Sequence, residues 1–109
     1  MISWQDFEKI DIRCGTVIEV NDFLKAKKPA YQLTIDFGSL GIKKSSVQVT
    51  HFYTKEVLLN KQVVAVVNFP VKQIANFFSE CLVLGIYNEE NNVVLLQPER
   101  KVANGMKIG

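Results

Sequence analysis

The chain has 109 residues, 48% of them hydrophobic and 22% charged, which suits one domain with one core and excludes a disordered segment. Its 13 basic and 11 acidic residues leave a formal charge of +2, too mild to announce nucleic acid, so any such reading must rest on where the charges lie. No apolar run reaches membrane-spanning length, and Met1-Ile2-Ser3-Trp4-Gln5-Asp6 shows no basic region leading into an apolar core. The expectation is a cytoplasmic chain without membrane insertion.

Ser3-Trp4-Gln5-Asp6 predicts a capped helix start, with Ser3 as N-cap and an acid three residues on. Trp4, Phe7 and Ile10 then share a face. So short a helix is unstable alone, and its aromatic face must dock on its own domain or on a second copy. Asp11 to Phe23 predicts a long first strand with a bend at Gly15, followed by a basic loop, Lys25-Ala26-Lys27-Lys28-Pro29. Tyr31, Leu33, Ile35 and Phe37 alternate with Gln32, Thr34 and Asp36, the pattern of a half-buried strand. Gly38 to Gly41 is a turn. Ile42 to Thr50 is a third strand, with Val47 and Val49 on one face and Ser46, Gln48 and Thr50 on the other.

Phe52 to Leu59 fits a short helix ending near Asn60. Val63 to Phe69 is β-branched and apolar on both faces, hence a covered central strand. Pro70 to Ser79 reads as an irregular loop. Cys81 to Tyr87 and Val93 to Leu96 form a last hairpin through Asn88 to Asn92, and the tail from Gln97 supplies turns around short extended pieces. This order predicts an all-β OB-fold: a five-to-six-stranded Greek-key barrel with a short N-terminal helix and a short helix between strands 3 and 4, spanning residues 1–109 as one domain.

The chemistry-bearing residues point to binding rather than catalysis. Cys14 and Cys81 sit inside apolar runs and lack the spacing of a zinc or redox pair, and His51 has no partner histidine or cysteine. No nucleophile stands in a recognisable turn, and Gly38-Ser39-Leu40-Gly41 lacks the spacing and ending of a phosphate-binding loop. No enzyme activity, metal or cofactor is expected.

Polar groups that interrupt a core-forming sequence need partners, because desolvating each one unpaired costs roughly 2 to 7 kcal/mol. Between Val63 and Gly85 such groups are Asn68, Lys72, Gln73, Ser79 and Glu80. An OB barrel grips single strands with a basic groove and neighbouring loops. That selects Lys43, Lys44, Ser46 and Gln48 on the third strand, Asn68, Lys72, Gln73 and Ser79 from the far loop, and Lys25, Lys27 and Lys28 beside them. The alternative for Asn68 and Ser79 is that they tie the loop to the barrel by backbone hydrogen bonds. Glu80 would repel phosphate, so a structural role suits it better. Phe69, Phe77 and Phe78 are the candidates for gripping apolar polypeptide, with plugging of the barrel end by Phe77 and Ile74 as the alternative. Trp4, Phe7, Val102, Met106 and Ile108 lie outside the strands and are candidates for a homodimer interface.

Several segments resemble the bacterial tRNA-binding domain family, which includes C-terminal appendices of methionyl-tRNA synthetases and free-standing dimers. They are Asp11-Ile12-Arg13-Cys14-Gly15-Thr16-Val17, Ile35-Asp36-Phe37-Gly38, the run from Gly41 to Thr50, Val64-Ala65-Val66-Val67-Asn68-Phe69-Pro70, Ser79-Glu80-Cys81-Leu82-Val83-Leu84-Gly85, Val93 to Pro98 and Asn104 to Gly109. The resemblance covers essentially the whole chain and is greatest to an export-related chaperone branch. It implies a homodimeric OB fold, tRNA and unfolded or secretory precursor proteins as ligands, and a working relation with the secretion ATPase. It also implies that Gln48, Asn68, Lys72, Ser79 and Glu80 match positions of tRNA contact. The loop departs from the family pattern: Gln73 replaces a second basic residue, Asn76 a glycine and Phe78 a polar residue. The expected function is a chaperone for unfolded or precursor polypeptides with an inherited tRNA-binding surface. The alternative is a free-standing tRNA-binding protein that recognises structured RNA.

Overall fold

The computed structural model describes residues 1–109. Helix α1 (Trp4–Glu8) opens with a full capping box: the Asp6 N–H donates to Ser3 Oγ at 3.1 Å and the Ser3 N–H to Asp6 Oδ2 at 3.0 Å. None of its residues is buried, so the cap rather than packing holds this turn.

Five strands form one antiparallel sheet in the order β3-β2-β1-β4-β7, comprising β1 (Ile12–Asp22), β2 (Tyr31–Asp36), β3 (Ile42–Val47), β4 (Gln62–Val66) and β7 (Leu82–Val83). β2 buries every second residue as its alternation predicts. Val17, Leu33, Ile35, Phe37, Leu58, Val63 and Ala65 form the fully buried centre. The sheet rolls until β3 meets the chain just before β7. There the Glu80 N–H donates to the Lys44 carbonyl at 2.7 Å, the Lys44 N–H donates to Glu80 Oε1 at 3.0 Å, and Ser45 Oγ donates to the Cys81 carbonyl at 2.9 Å. Ser45 is the one buried polar residue, and this bond answers its desolvation. The result is a nearly closed barrel of the OB type.

β1 serves two neighbours. Ile12 to Thr16 pairs with β4 and Thr16 to Asp22 with β2. The irregularity needed for the bend falls at Ile18, between Val17 and Glu19, and not at the expected Gly15. Gly15 is required for a different reason: a Cβ there would lie 2.7 Å from an Ile35 methyl and 2.8 Å from the Phe37 ring. The edge of β1 that β2 leaves bare is covered by the tail. The Gly105 N–H donates to the Cys14 carbonyl, the Cys14 N–H to the Met106 carbonyl and the Ile108 N–H to the Ile12 carbonyl. Gly105 has φ +88°, and a Cβ would meet the Phe37 carbonyl oxygen at 2.3 Å, so only glycine makes this turn.

Four expectations need correction. The helix expected over 52–59 is only α2 (Lys55–Leu58), because Thr54 caps it by accepting the Val57 N–H, and Asn60 follows at φ +68°. The third strand ends its pairing at Val47, although Val49 remains buried. The segment expected as an irregular loop is a hairpin of β5 (Lys72–Ile74) and β6 (Phe77–Ser79), pairing Lys72 with Ser79, Gln73 with Phe78 and Ile74 with Phe77. Its left-handed turn residue is Ala75, at φ +55°. The strand expected over Cys81 to Tyr87 is split: β7 pairs with β4, and only β8 (Gly85–Tyr87) forms the last hairpin with β9 (Val93–Leu95), its turn held by the Asn88 N–H donating to the Asn92 carbonyl. No helix is long and apolar enough to cross a membrane.

Candidate functional site

Beyond Ser46, where the seam ends, the β3 edge is uncovered, and two grooves open there. The first is a hollow of about 630 Å³ between the β1–β2 loop, the end of β3 and the β5–β6 hairpin. Lys25, Lys27, Lys28, Ser46, Gln48, Lys72 and Gln73 line it, with no carboxylate among its lining residues. None of these four lysines makes an ion pair; the ion pairs are Lys9–Asp6, Arg13–Asp11, Lys55–Asp22 and Arg100–Glu99. Four unpaired ammonium groups around one hollow give it a positive potential that suits a polyanion.

A second small core holds its walls together. Phe23, Ala30 and Phe77 are buried with Ala26 and Ile74 packed on them, and the Phe23 and Phe77 rings sit 5.4 Å apart at 55°. Phe77 is 8% exposed and therefore cannot grip a polypeptide; strand alternation turns it inward and Phe78 outward. Phe78 is 54% exposed and Phe69 55%. Phe78 is the cross-strand partner of Gln73, so its ring stands on the outward face of the hairpin, opposite Phe77, and lines neither groove.

The second groove, about 470 Å³, runs between the end of β3 and the β7–β9 region. Val47, Val49, Leu82, Leu84, Val93 and Leu95 give it an apolar floor, with Tyr87 at the rim. Ser46, Gln48 and Lys72 line both grooves. A smaller hollow of about 260 Å³ between Phe69, Pro70, Ser79 and Leu82 also includes Lys72.

Other candidate residues hold the scaffold. Asn68 Oδ1 accepts the Asp11 N–H at 3.0 Å, and Nδ2 donates to the Lys9 carbonyl at 2.7 Å. Its amide is spent on the α1–β1 junction, so Asn68 does not join Gln48 and Lys72. Ser79 Oγ accepts the Ser46 N–H and donates to the Cys81 carbonyl, both at 3.4 Å. Gln73 Nε2 donates to the Ala75 carbonyl at 3.0 Å. Lys43 and Lys44 alternate to opposite sides of β3, and neither lines the two grooves. Trp4 and Met106 are 80% and 52% exposed, while Phe7, Val102 and Ile108 are half-buried. α1 and the tail lie at the same end of the barrel, where Ile108 pairs with Ile12.

The apolar groove is the feature that sequence reasoning missed. The sequence carried no signal for it, because Leu82 and Tyr87, which the structure leaves 48% and 73% exposed, lie in a run that reads as core. A polar cleft of about 560 Å³ lies elsewhere, between Thr16, Lys61, Gln97 and Arg100. Lys61 there donates to Gln97 Oε1 and Arg100 pairs with Glu99. Burial raises both thiols, Cys81 to about 11, so they stay protonated near neutral pH. No group of three histidine, cysteine, aspartate or glutamate side chains is placed to hold a metal ion.

A family model described as "Putative tRNA binding domain" matches residues 12–107. The chain belongs to this tRNA-binding domain family. Within it, the chain is similar over its full length to the solved chaperone CsaA of Bacillus anthracis str. Ames (50% identity, TM-score 0.95, covering 100% of this chain and 99% of that one). It is likewise similar to the CsaA chaperone protein of Picrophilus torridus (54% identity, TM-score 0.94, both chains covered completely). Among curated proteins, 98% of the chain aligns at 34% identity with the methionine–tRNA ligase of Pyrococcus horikoshii. The chain spans only 14% of that ligase's length.

The geometry separates two residues that the sequence groups together. Asn68→Ala is expected to lower stability by about 1 kcal/mol, because it removes two hydrogen bonds that tie α1 to β1, without changing RNA affinity. Lys72→Ala should leave stability within about 0.5 kcal/mol and weaken RNA binding. Urea unfolding and oligonucleotide titration of both variants check this; lost RNA binding by Asn68→Ala at unchanged stability would put Asn68 on the ligand face.

Proposed function

We propose that this protein is a CsaA-type chaperone that binds unfolded or secretory precursor polypeptides and keeps its family's tRNA-binding surface. The supporting observation is the junction of a carboxylate-free lysine groove with an apolar groove along the end of β3. The apolar floor suits alternate side chains of an extended chain, which sheet-edge recognition places in such slots. The lysines suit a phosphate backbone, and the outward Phe78 ring offers a base a stacking face. The secretion ATPase is a proposed partner on the strength of the likeness to CsaA alone. A second reading, a free-standing protein for structured RNA, is favoured by the lysines alone.

The proposed active form is a homodimer in the cytoplasm. Trp4 and Met106 on α1 and the tail leave apolar surface unpaired at one end of the barrel. Pairing two copies there would repeat the grooves and raise apparent affinity through avidity.

Salt separates the two ligand classes. Each phosphate neutralised on a single strand contributes a slope of about −0.7 in log affinity against log salt. Four lysines therefore predict a slope of about −3 for an oligonucleotide, reduced in magnitude by about 0.7 in Lys72→Ala. Binding of a denatured precursor should change only modestly over the same range. A flat RNA profile would remove the lysine groove from the account, and failure to bind denatured protein would leave the second reading. Sedimentation equilibrium at micromolar concentration is expected to give a dimer, which Trp4→Ser combined with Met106→Ser should dissociate; a wild-type monomer would reject the pairing.

A further inference from the structure

The two grooves do not merely adjoin; they share a wall. Ser46, Gln48 and Lys72 belong to both. Lys72 has neither an ion pair nor a side-chain hydrogen bond, so its charge is free for a ligand. β3 stops pairing with β2 at Val47, and the Gln48 backbone N–H and carbonyl, one residue further, have no partner in the chain. A nucleic-acid strand held by the loop lysines would bring a phosphate to the Lys72 ammonium. An extended polypeptide on the apolar floor, bonded to the free Gln48 backbone, would cross the same ammonium. A single ammonium and a single pair of backbone groups serve one occupant at a time.

We infer that nucleic acid and unfolded polypeptide compete for this wall, so that each expels the other. This rests on the function proposed above, and it makes the two binding abilities one site with alternative occupants. No conformational change is needed: the coupling is exclusion, and by linkage each ligand weakens the other. The rest of each groove sets ligand preference without altering the conflict. The loop lysines act on nucleic acid alone, and the Tyr87 rim acts on polypeptide alone.

The test uses the full chain, a fluorescein-labelled ten-nucleotide oligouridylate, and an end-capped, uncharged peptide of alternating valine and threonine. The peptide carries no acid that could imitate phosphate. With peptide at ten times its own Kd, the apparent Kd of the oligonucleotide is expected to rise about elevenfold, and to keep rising linearly with peptide. A rise that reaches a plateau, or no rise while calorimetry shows the peptide bound, means both ligands sit together and overturns the inference, leaving the proposed function intact. Failure of either ligand to bind alone overturns the functional reading and the competition with it. Lys27→Ala should weaken the oligonucleotide only and Tyr87→Ser the peptide only, with linear displacement kept in both; loss of both affinities in either variant contradicts the division of the grooves.

Discussion

The structure depends on the seam where Glu80 brackets Lys44. A five-strand sheet of this length can remain open, with two edges for other chains to pair with. Here one carboxylate and one N–H clasp the backbone of Lys44, and Ser45 adds a bond to the Cys81 carbonyl. These bonds join the sheet's terminal strands around a core centred on Leu33, Ile35, Phe37 and Val63. The seam is also short. The weak Ser46–Ser79 contact marks its limit, and beyond it Gln48 lies on an uncovered edge. Closure and opening are two consequences of where one glutamate stands, which is why an acid can sit beside a polyanion groove without lining it.

The groove needs a second support, because its walls come from a loop and a hairpin with little core of their own. Phe77 supplies it by packing on Phe23 and Ala30. The side chain that looked like a ligand contact therefore acts one layer beneath the surface, fixing the spacing between the Lys25–Lys28 loop and Lys72. The lysine groove and the apolar groove are built from the same strand end, so the dual binding proposed above requires no additional domain.

Local pattern made much of this legible. The alternation of Tyr31 to Phe37 gave β2, the Ser3–Asp6 box gave α1, and the polar Asn88–Asn92 turn gave the last hairpin. The Lys72–Ser79 hairpin was not legible, because only one of its faces packs, on a satellite core of three buried residues, and its turn uses Ala75 where glycine or asparagine would signal one. Asn68 shows the deeper limit. Its polarity in an apolar run marks it as needing partners, but those partners, Lys9 and Asp11, lie nearly sixty positions away and act through their backbones. Sequence identifies the demand and only the fold identifies what meets it. Lys72 is the converse case, a charge whose freedom follows from the absence of any acid facing it.

The most direct test is residue-resolved: amide chemical-shift mapping of the isotope-labelled protein titrated with a short oligouridylate. The account predicts that shifts concentrate at Lys25 to Lys28, Ser46 to Gln48 and Lys72 to Ala75, with the Asn68 side-chain amide unmoved. Shifts gathered instead around Thr16, Lys61, Gln97 and Arg100 would place the binding surface on the other cleft and contradict it.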